Sequence, residues 1–184
     1  MTRLAPGDPA SLSSLAADLH RCADVLRDRR SALSRAEEAL LEWRGAAGDA
    51  FRSAFRTELR VLDDTAEALT TCAHALQEYS VDLQYARSLS VEAEDYCHRH
   101  GLELSDDATV RMPWGAYSVE EADAYAERVP EGQRLASRAR EEAEDGARRL
   151  ARRVDAPVHT LGAARHAVLA AVQLAAQAAG PTYR

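Results

Sequence analysis

The chain has 184 residues and a formal net charge of −7, with 30 acidic and 23 basic side chains. An acidic chain is a poor match for phosphate backbones, so this composition argues against nucleic-acid binding. No run of eighteen apolar residues occurs, and the N-terminus lacks a basic start followed by an apolar stretch. We therefore expect neither a membrane span nor an ordinary signal peptide.

The first predicted element is a long helix that begins at Asp8, a carboxylate N-cap, and Pro9, which suits the first helical position. Apolar side chains then recur at spacings of three and four residues, with Arg29 as the one polar break. This seam consists of Leu12, Leu15, Leu19, Cys22, Leu26, Leu33, Ala36, Leu40 and Trp43. A second stripe carries the small residues Ala16, Ala23, Ala32 and Ala39. Because small side chains let another helix approach closely, we expect this stripe to face a partner protein.

The second predicted helix follows a turn at Trp43-Arg44-Gly45. Apolar residues lie at mirror-image distances on the two sides of Arg44, and these pairs are Leu33 with Phe55, Leu26 with Leu62, Leu19 with Leu69 and Leu12 with Leu76. Since antiparallel helices meet layer by layer, this symmetry predicts a helical hairpin whose register is centred on residue 44. We expect the second helix to end at His100, before Gly101. It would then extend beyond the first helix by roughly twenty residues, about 30 Å. A third helix or a second protein would have to pack against this extension.

The C-terminal half begins with residues 101–117, whose Gly, Asp and Pro residues predict a linker or an Ω-like loop with a short extended segment at 108–112. Ser118 and Glu121 match a capping box, which opens a short helix. Pro130 is expected to interrupt that helix.

Two further helices are predicted after this proline, one from Glu131 to Val154 and an Ala-rich one from Thr160 to Ala179, with Pro157 between them. The predicted fold class is therefore all-α, a long antiparallel helical hairpin with additional C-terminal helices that pack on it or extend it. Its segments are the hairpin at 6–100, a linker with a short helix at 101–130, and a C-terminal helical segment at 131–184.

No arrangement of residues typical of catalysis occurs in the sequence. The motifs G-x-S-x-G, the P-loop and H-E-x-x-H are absent, so we expect neither enzyme activity nor a cofactor. Glu94, Cys97 and His98 would share one helix face, but histidines also suit a helix C-terminus, so we expect no metal site. The cysteines Cys22, Cys72 and Cys97 show no C-x-x-C spacing and are expected to be reduced, packed thiols.

The turn Trp43-Arg44-Gly45, at the centre of an acidic helical hairpin, resembles the Trp-x-Gly turn of the WXG superfamily of type VII secretion substrates. The opening Pro6-Gly7-Asp8-Pro9 and the stretch from Trp43 to Phe55 also resemble trafficking domains at the front of large actinobacterial toxins. The complete absence of Lys, Asn and Ile is typical of a GC-rich bacterial genome. The resemblance covers residues 6–100.

This resemblance implies synthesis in the cytoplasm and export by a membrane ATPase complex without a cleaved signal peptide. It also implies a folded dimer with a small WXG-like helical protein or with a second copy. Gly45 would permit the tight reversal between the helices, and Trp43 would cover the end of the core while staying available to a partner. The family further uses a Tyr-x-x-x-Asp/Glu export signal, which only Tyr117 with Glu121 fits. The signal is either this pair or a sequence on the partner.

Two functions remain open at this point. The first is a non-catalytic export-targeting module, either free-standing or the front part of a toxin, that binds a small helical partner and the secretion ATPase. The alternative is a cytoplasmic helical adaptor or a chaperone for a secreted partner.

Overall fold

A computed structural model describes residues 4–39 and 42–178, with side chains described as far as His166 except for that of Ala39. Within these residues the chain forms three long helices and one two-stranded antiparallel sheet. The elements are α1 (Pro9–Ala39), α2 (Ala46–His100), β1 (Glu103–Leu104), β2 (Val110–Arg111) and α3 (Val119–Ala178). The predicted all-α fold with a helical hairpin is confirmed. No helix in this described part is long and apolar enough to cross a membrane.

The start of α1 is capped by Asp8, as predicted. One carboxylate oxygen of Asp8 accepts hydrogen bonds from the hydroxyl of Ser11 at 2.5 Å and from its backbone N–H at 3.2 Å. The other oxygen accepts the N–H of Ala10 at 3.3 Å. These bonds hold the pKa of Asp8 below its usual value, the hydroxyl of Ser11 contributing most.

The end of α2 is formed by Gly101, also as predicted. Its φ of +65° lies in the left-handed region, which glycine adopts without steric cost. The N–H of Leu102 donates to the carbonyl of Cys97 at 2.8 Å, and the N–H of Gly101 donates to that of His98 at 3.3 Å. This is the double hydrogen bond of a Schellman motif, which closes the helix.

The register of the hairpin differs from the predicted one by five residues. Arg30 donates a hydrogen bond to a carboxylate oxygen of Asp63 at 3.1 Å. Symmetry about residue 44 would instead place the partner of Arg30 five positions earlier on α2. The same offset holds for two further pairs, Ser13 with Ser80 at 2.8 Å and Glu37 with Arg56 at 3.4 Å. Trp43 lies beside the first turns of α2, where its carbonyl oxygen accepts a hydrogen bond from Arg52. The mirror-symmetric register is therefore wrong.

The face of α1 that contacts α2 lies one residue, about 100°, away from the predicted seam. Its members are Ser13, Ala16, His20, Ala23, Arg27, Arg30, Ser34 and Glu37. Ala16 and Ala23 are only 1 % and 0 % exposed, which places them inside the hairpin and not on an open partner-facing stripe. Their small side chains let the helices approach, and long polar side chains reach across, as in the bond from Arg27 to the hydroxyl of Thr70 at 2.7 Å.

The leucine row of α1, predicted as the hairpin seam, is consequently left near the surface. Its exposed members are Leu15, Cys22, Leu33 and Ala36, and its half-buried members are Leu12, Leu19 and Leu26. The exposure of Cys22 also corrects the expectation of a packed thiol at this position. Of the predicted small-residue stripe, Ala32 is exposed. Leu40 and the side chain of Ala39 lie outside the described residues.

The chain divides into two compact units. The first joins the N-terminal residues as far as Ser14 with Leu76–Arg152, and the second joins Leu15–Ala75 with the residues from Arg153 onward. In the second unit most of α1 packs against the first half of α2. There, part of α3 borders a shallow groove together with α2, lined by Asp64, Glu67, Ala68, Thr71, Ala156, Pro157 and Thr160.

The first unit has an apolar core to which α2, the sheet and α3 all contribute. The buried residues of this core are Leu4, Leu89, Ala93, Cys97, Leu102, Ala108, Val110, Leu135, Ala136 and Ala139. The side-chain amide of Gln133 accepts the N–H of Val110 at 2.9 Å and donates to the carbonyl of Ala108 at 2.8 Å. These bonds fix the strands to α3. Within the predicted linker, Leu102, Ala108 and Val110 therefore belong to the core, whereas the turn at residues 112–116 is mostly exposed.

A single helix, α3, runs through both prolines that were predicted to end helices, Pro130 and Pro157. Proline costs about 3 kcal/mol inside a helix, so tertiary packing must outweigh this local cost. In the first unit α3 lies close to α2, since a Cβ on Gly146 would stand 3.1 Å from that of Asp82. Arg149 also donates to the Asp82 carboxylate at 3.0 Å. The overhang of α2 is thus covered by the chain's own third helix, and the boundary predicted between residues 130 and 131 lies inside α3.

The burial of the small-residue face can be tested with one substitution at two sites. We expect Ala23→Leu to destabilise the chain by about 1 to 3 kcal/mol, because extra methylene groups would be forced into a closely packed contact. The matched change Ala32→Leu, at an exposed position of the same helix, should leave stability nearly unchanged. Urea unfolding followed by circular dichroism measures both. Equal stability of the two variants would contradict the observed face.

Candidate functional site

The turn between α1 and α2 holds the indole of Trp43 against the start of α2. The ring centroid of Trp43 lies 5.6 Å from that of Phe51, which stacks in turn on Phe55 at 5.6 Å. The guanidinium of Arg52 donates a hydrogen bond to the Trp43 carbonyl oxygen at 2.7 Å. Even so, Trp43 remains 47 % exposed. The indole is thus fixed by the chain and still open to a partner.

Two glycines shape this turn. Gly45 has a φ of +103°, in the left-handed region, and its carbonyl accepts the N–H of Asp49 at 3.0 Å, which makes it the N-cap residue of α2. Gly48 is buried, and a side chain at this position would collide with the carbonyl oxygen of Trp43. The sequence analysis identified Gly45 but missed Gly48 and Arg52. A second glycine three residues after the first was the available signal.

The pair Tyr117 and Glu121 lies at the start of α3, and both side chains bond within the chain. The hydroxyl of Tyr117 donates to the carbonyl oxygen of Pro113, and its ring meets Tyr125 edge to face at 5.2 Å. Glu121 accepts the N–H of Ser118 at 2.8 Å, while the hydroxyl oxygen of Ser118 accepts the N–H of Glu121 at 3.2 Å. The predicted capping box is therefore confirmed.

These contacts also set the protonation of the pair. The backbone N–H of Ser118, which donates to the Glu121 carboxylate, and after it the Ser118 side chain lower the pKa of Glu121 below the usual 4.5. Desolvation, followed by the nearby Tyr125 and the carboxylates of Glu103 and Glu121, raises the pKa of Tyr117. At neutral pH Glu121 is consequently an anion that caps α3, and Tyr117 is a neutral donor.

The turn that precedes this pair presents a second indole to solvent. Trp114 is fully exposed, and its sequence neighbours Met112 and Val119 are 44 % and 77 % exposed. Gly115 keeps the turn tight, because a Cβ there would stand 3.1 Å from the hydroxyl oxygen of Tyr117. The sequence analysis missed Trp114, since the exposure of a loop aromatic follows no spacing pattern. The proline and glycine on either side of it were the available signal.

The Cys and His residues near the end of α2 do not converge on a common point. Cys97 is buried in the core, and burial raises the pKa of its thiol, as it does for Cys72. His98 is exposed, and the ring of His100 packs on Tyr96 at 4.4 Å. Among the residues that the structure describes, no group of three or more His, Cys, Asp or Glu side chains is placed to hold a metal ion.

Comparison with known proteins gives one clear result. No curated protein and no solved structure matches the chain. A family model described as "Putative T7SS secretion signal domain", where T7SS denotes the type VII secretion system, matches residues 1–180. The matched region includes both indoles and the Tyr117/Glu121 pair.

The capping role of Glu121 predicts a defined pH dependence. Because its pKa is lowered in the folded chain, its contribution to stability is present above about pH 4.5 and is lost as the pH falls through the lowered value. We expect Glu121→Ala to lower the urea midpoint at neutral pH, and the difference from the parent chain to vanish in acid. Glu120→Ala, which removes the adjacent exposed carboxylate, is the control and should show a smaller pH dependence. A difference that persists unchanged in acid would contradict the role.

Proposed function

Since the chain belongs to the T7SS secretion signal domain family, we propose that it is a type VII secretion substrate or export-targeting module. The observation that carries this proposal is the extent of the family match, which covers residues 1–180 of 184. The family description also points to targeting and not to catalysis.

We further propose that the chain pairs with a small WXG-like helical protein, as a heterodimer or with a second copy. The support lies on the outer face of α1, where Leu15, Val25 and Leu33 are exposed although the helix has a buried face. An amphipathic helix from a partner would remove this apolar row from water. The row replaces the alanine stripe as the proposed contact, because Ala16 and Ala23 are already buried.

Recognition by the secretion ATPase is proposed to involve the turn at Trp43 and Gly45. This assignment follows the WXG resemblance and is supported by the half-exposed indole, which the contacts with Phe51 and Arg52 hold in place. Tyr117 and Glu121 are proposed to act through the shape of the loop, since both side chains bond within the chain. A place at the front of a larger actinobacterial toxin fits the same role.

Export of a Trp43 variant tests this proposal. Trp43→Ala should reduce the tagged protein in the culture supernatant by about tenfold or more, as expected for the loss of an aromatic contact residue. Helicity by circular dichroism should stay nearly unchanged, because Trp43 lies outside both helices and the buried contacts of α1 are made by Ala16 and Ala23. Trp43→Phe, which keeps an aromatic ring beside Phe51, is the matched control and should retain most export.

The same assay needs a host strain with an inactive type VII ATPase. The parent chain should then stay in the cells. Export without the ATPase would contradict the proposal. Retention in the presence of a working ATPase and co-expressed small hairpin proteins would favour the cytoplasmic adaptor or chaperone.

A further inference from the structure

Two histidines meet across the hairpin in the second unit. The ring centroids of His20 on α1 and His74 on α2 are 4.9 Å apart, and the ring planes are inclined at 84° to each other. The two residues lie far apart in the sequence, so only the pairing of the helices brings their rings together. Since imidazole is the side chain that most often binds transition-metal ions, the pair is a candidate for a metal site.

The tautomer of the His20 ring is set by the backbone of its own helix. Nδ1 of His20 lies 3.1 Å from the carbonyl oxygen of Ala16, one turn earlier on α1. Because a carbonyl oxygen only accepts hydrogen bonds, Nδ1 carries the ring hydrogen, and Nε2 of the neutral ring keeps a free lone pair. Histidines that bind metal ions are oriented in the same way, with one nitrogen donating to a carbonyl or carboxylate and the other bound to the ion.

The spacing of the two rings matches that of imidazoles on a shared metal ion. The Zn–N bond is about 2.0–2.1 Å and the ring centre lies about 1 Å beyond the nitrogen, so tetrahedral ligation places two ring centroids about 5 Å apart. The observed 4.9 Å agrees with this value, and neither helix has to move. The His74 ring has only to turn. It is free to do so, because it is exposed and has no hydrogen bond to any residue that the structure describes.

We propose that His20 and His74 together bind a divalent transition-metal ion of the class that imidazole prefers, such as Zn²⁺, Ni²⁺ or Cu²⁺. Within the described part of the chain no third His, Cys, Asp or Glu joins the pair, so water would complete the coordination. The ion would tie α1 to α2. Because the unfolded chain does not hold the two rings together, binding would stabilise the folded hairpin. This role neither requires nor excludes export.

Calorimetric titration of the purified chain with Zn²⁺ tests the site. The parent chain should bind one ion that is lost in the variants of the pair. His74→Gln, a change at an exposed position, should bind it at least about tenfold more weakly, because even the loss of a group that only orients a ligand costs about 10- to 100-fold in metal affinity. His20→Gln should have the same effect.

Two matched controls exclude other ligands on the surface. His98→Gln removes an exposed histidine from α2 and should leave the affinity for Zn²⁺ unchanged. Cys22→Ser removes the exposed thiol of α1 and should also bind normally. Mg²⁺ should not bind at the same concentration, since this hard cation prefers oxygen ligands.

Nitrogen NMR of the chain labelled with ¹⁵N-histidine identifies the ligand atoms. Zn²⁺ should shift the Nε2 signal of His20, which the His20→Gln variant assigns. The Nδ1 signal of the same ring should remain that of a protonated nitrogen, because Nδ1 donates to the Ala16 carbonyl. A shift confined to His98 or His100 would place the ion at the end of α2 and overturn the proposal.

Unfolding in urea gives the stability readout. Zn²⁺ should raise the urea midpoint of the parent chain and of His98→Gln, EDTA should reverse the increase, and His74→Gln should show neither effect. The absence of Zn²⁺ binding, or binding that His74→Gln leaves unchanged, would overturn the site. A mass that doubles with Zn²⁺ in the parent chain but not in His74→Gln would show that the ion joins two copies. That result would also overturn a site within one hairpin.

Discussion

The close approach of α1 to α2 through small residues is the constraint on which the hairpin depends. Ala16 and Ala23 have almost no exposed surface, and any larger side chain would force the helices apart. The other positions of this face of α1 are polar, and long side chains among them bond across to α2, as Arg27 does to Thr70. The interface is therefore built from small and polar residues. Since each residue turns the helix by about 100°, the leucine row beside this face points partly to solvent.

This arrangement explains why the hairpin was predicted but its register was not. The mirror symmetry of the leucines predicted that two helices pair, because this prediction requires only that both helices repeat their apolar residues with the same period. The register depends instead on how the chain reverses. At that turn the missing side chain of Gly48 lets the Trp43 carbonyl approach α2, and Arg52 bonds to it. Such contacts involve atoms that no hydrophobic pattern describes, so the predicted register differs from the observed one by five residues.

Local signals were reliable where all partners lie within a few residues of each other. Asp8, Gly101 and the Ser118/Glu121 box fall into this class, and each makes the predicted hydrogen bonds. Pro130 shows the limit of such reasoning. It was predicted to interrupt a helix, but it lies within α3, which packs along α2. The residues of the candidate functional site show the same contrast between local and fold-dependent features. The position of Glu121 was predictable from spacing, whereas the exposure of Trp114 depends on the folded loop.

The two apolar features at the surface share a physical property that bears on recognition. The outer row of α1 is held by a helix whose other face is buried, and Trp114 is held by a turn that Tyr117 closes. Each is ordered before any partner arrives, so binding pays little conformational entropy. An unfolded chain would present neither feature in this form. A partner that binds either feature would therefore bind the folded chain.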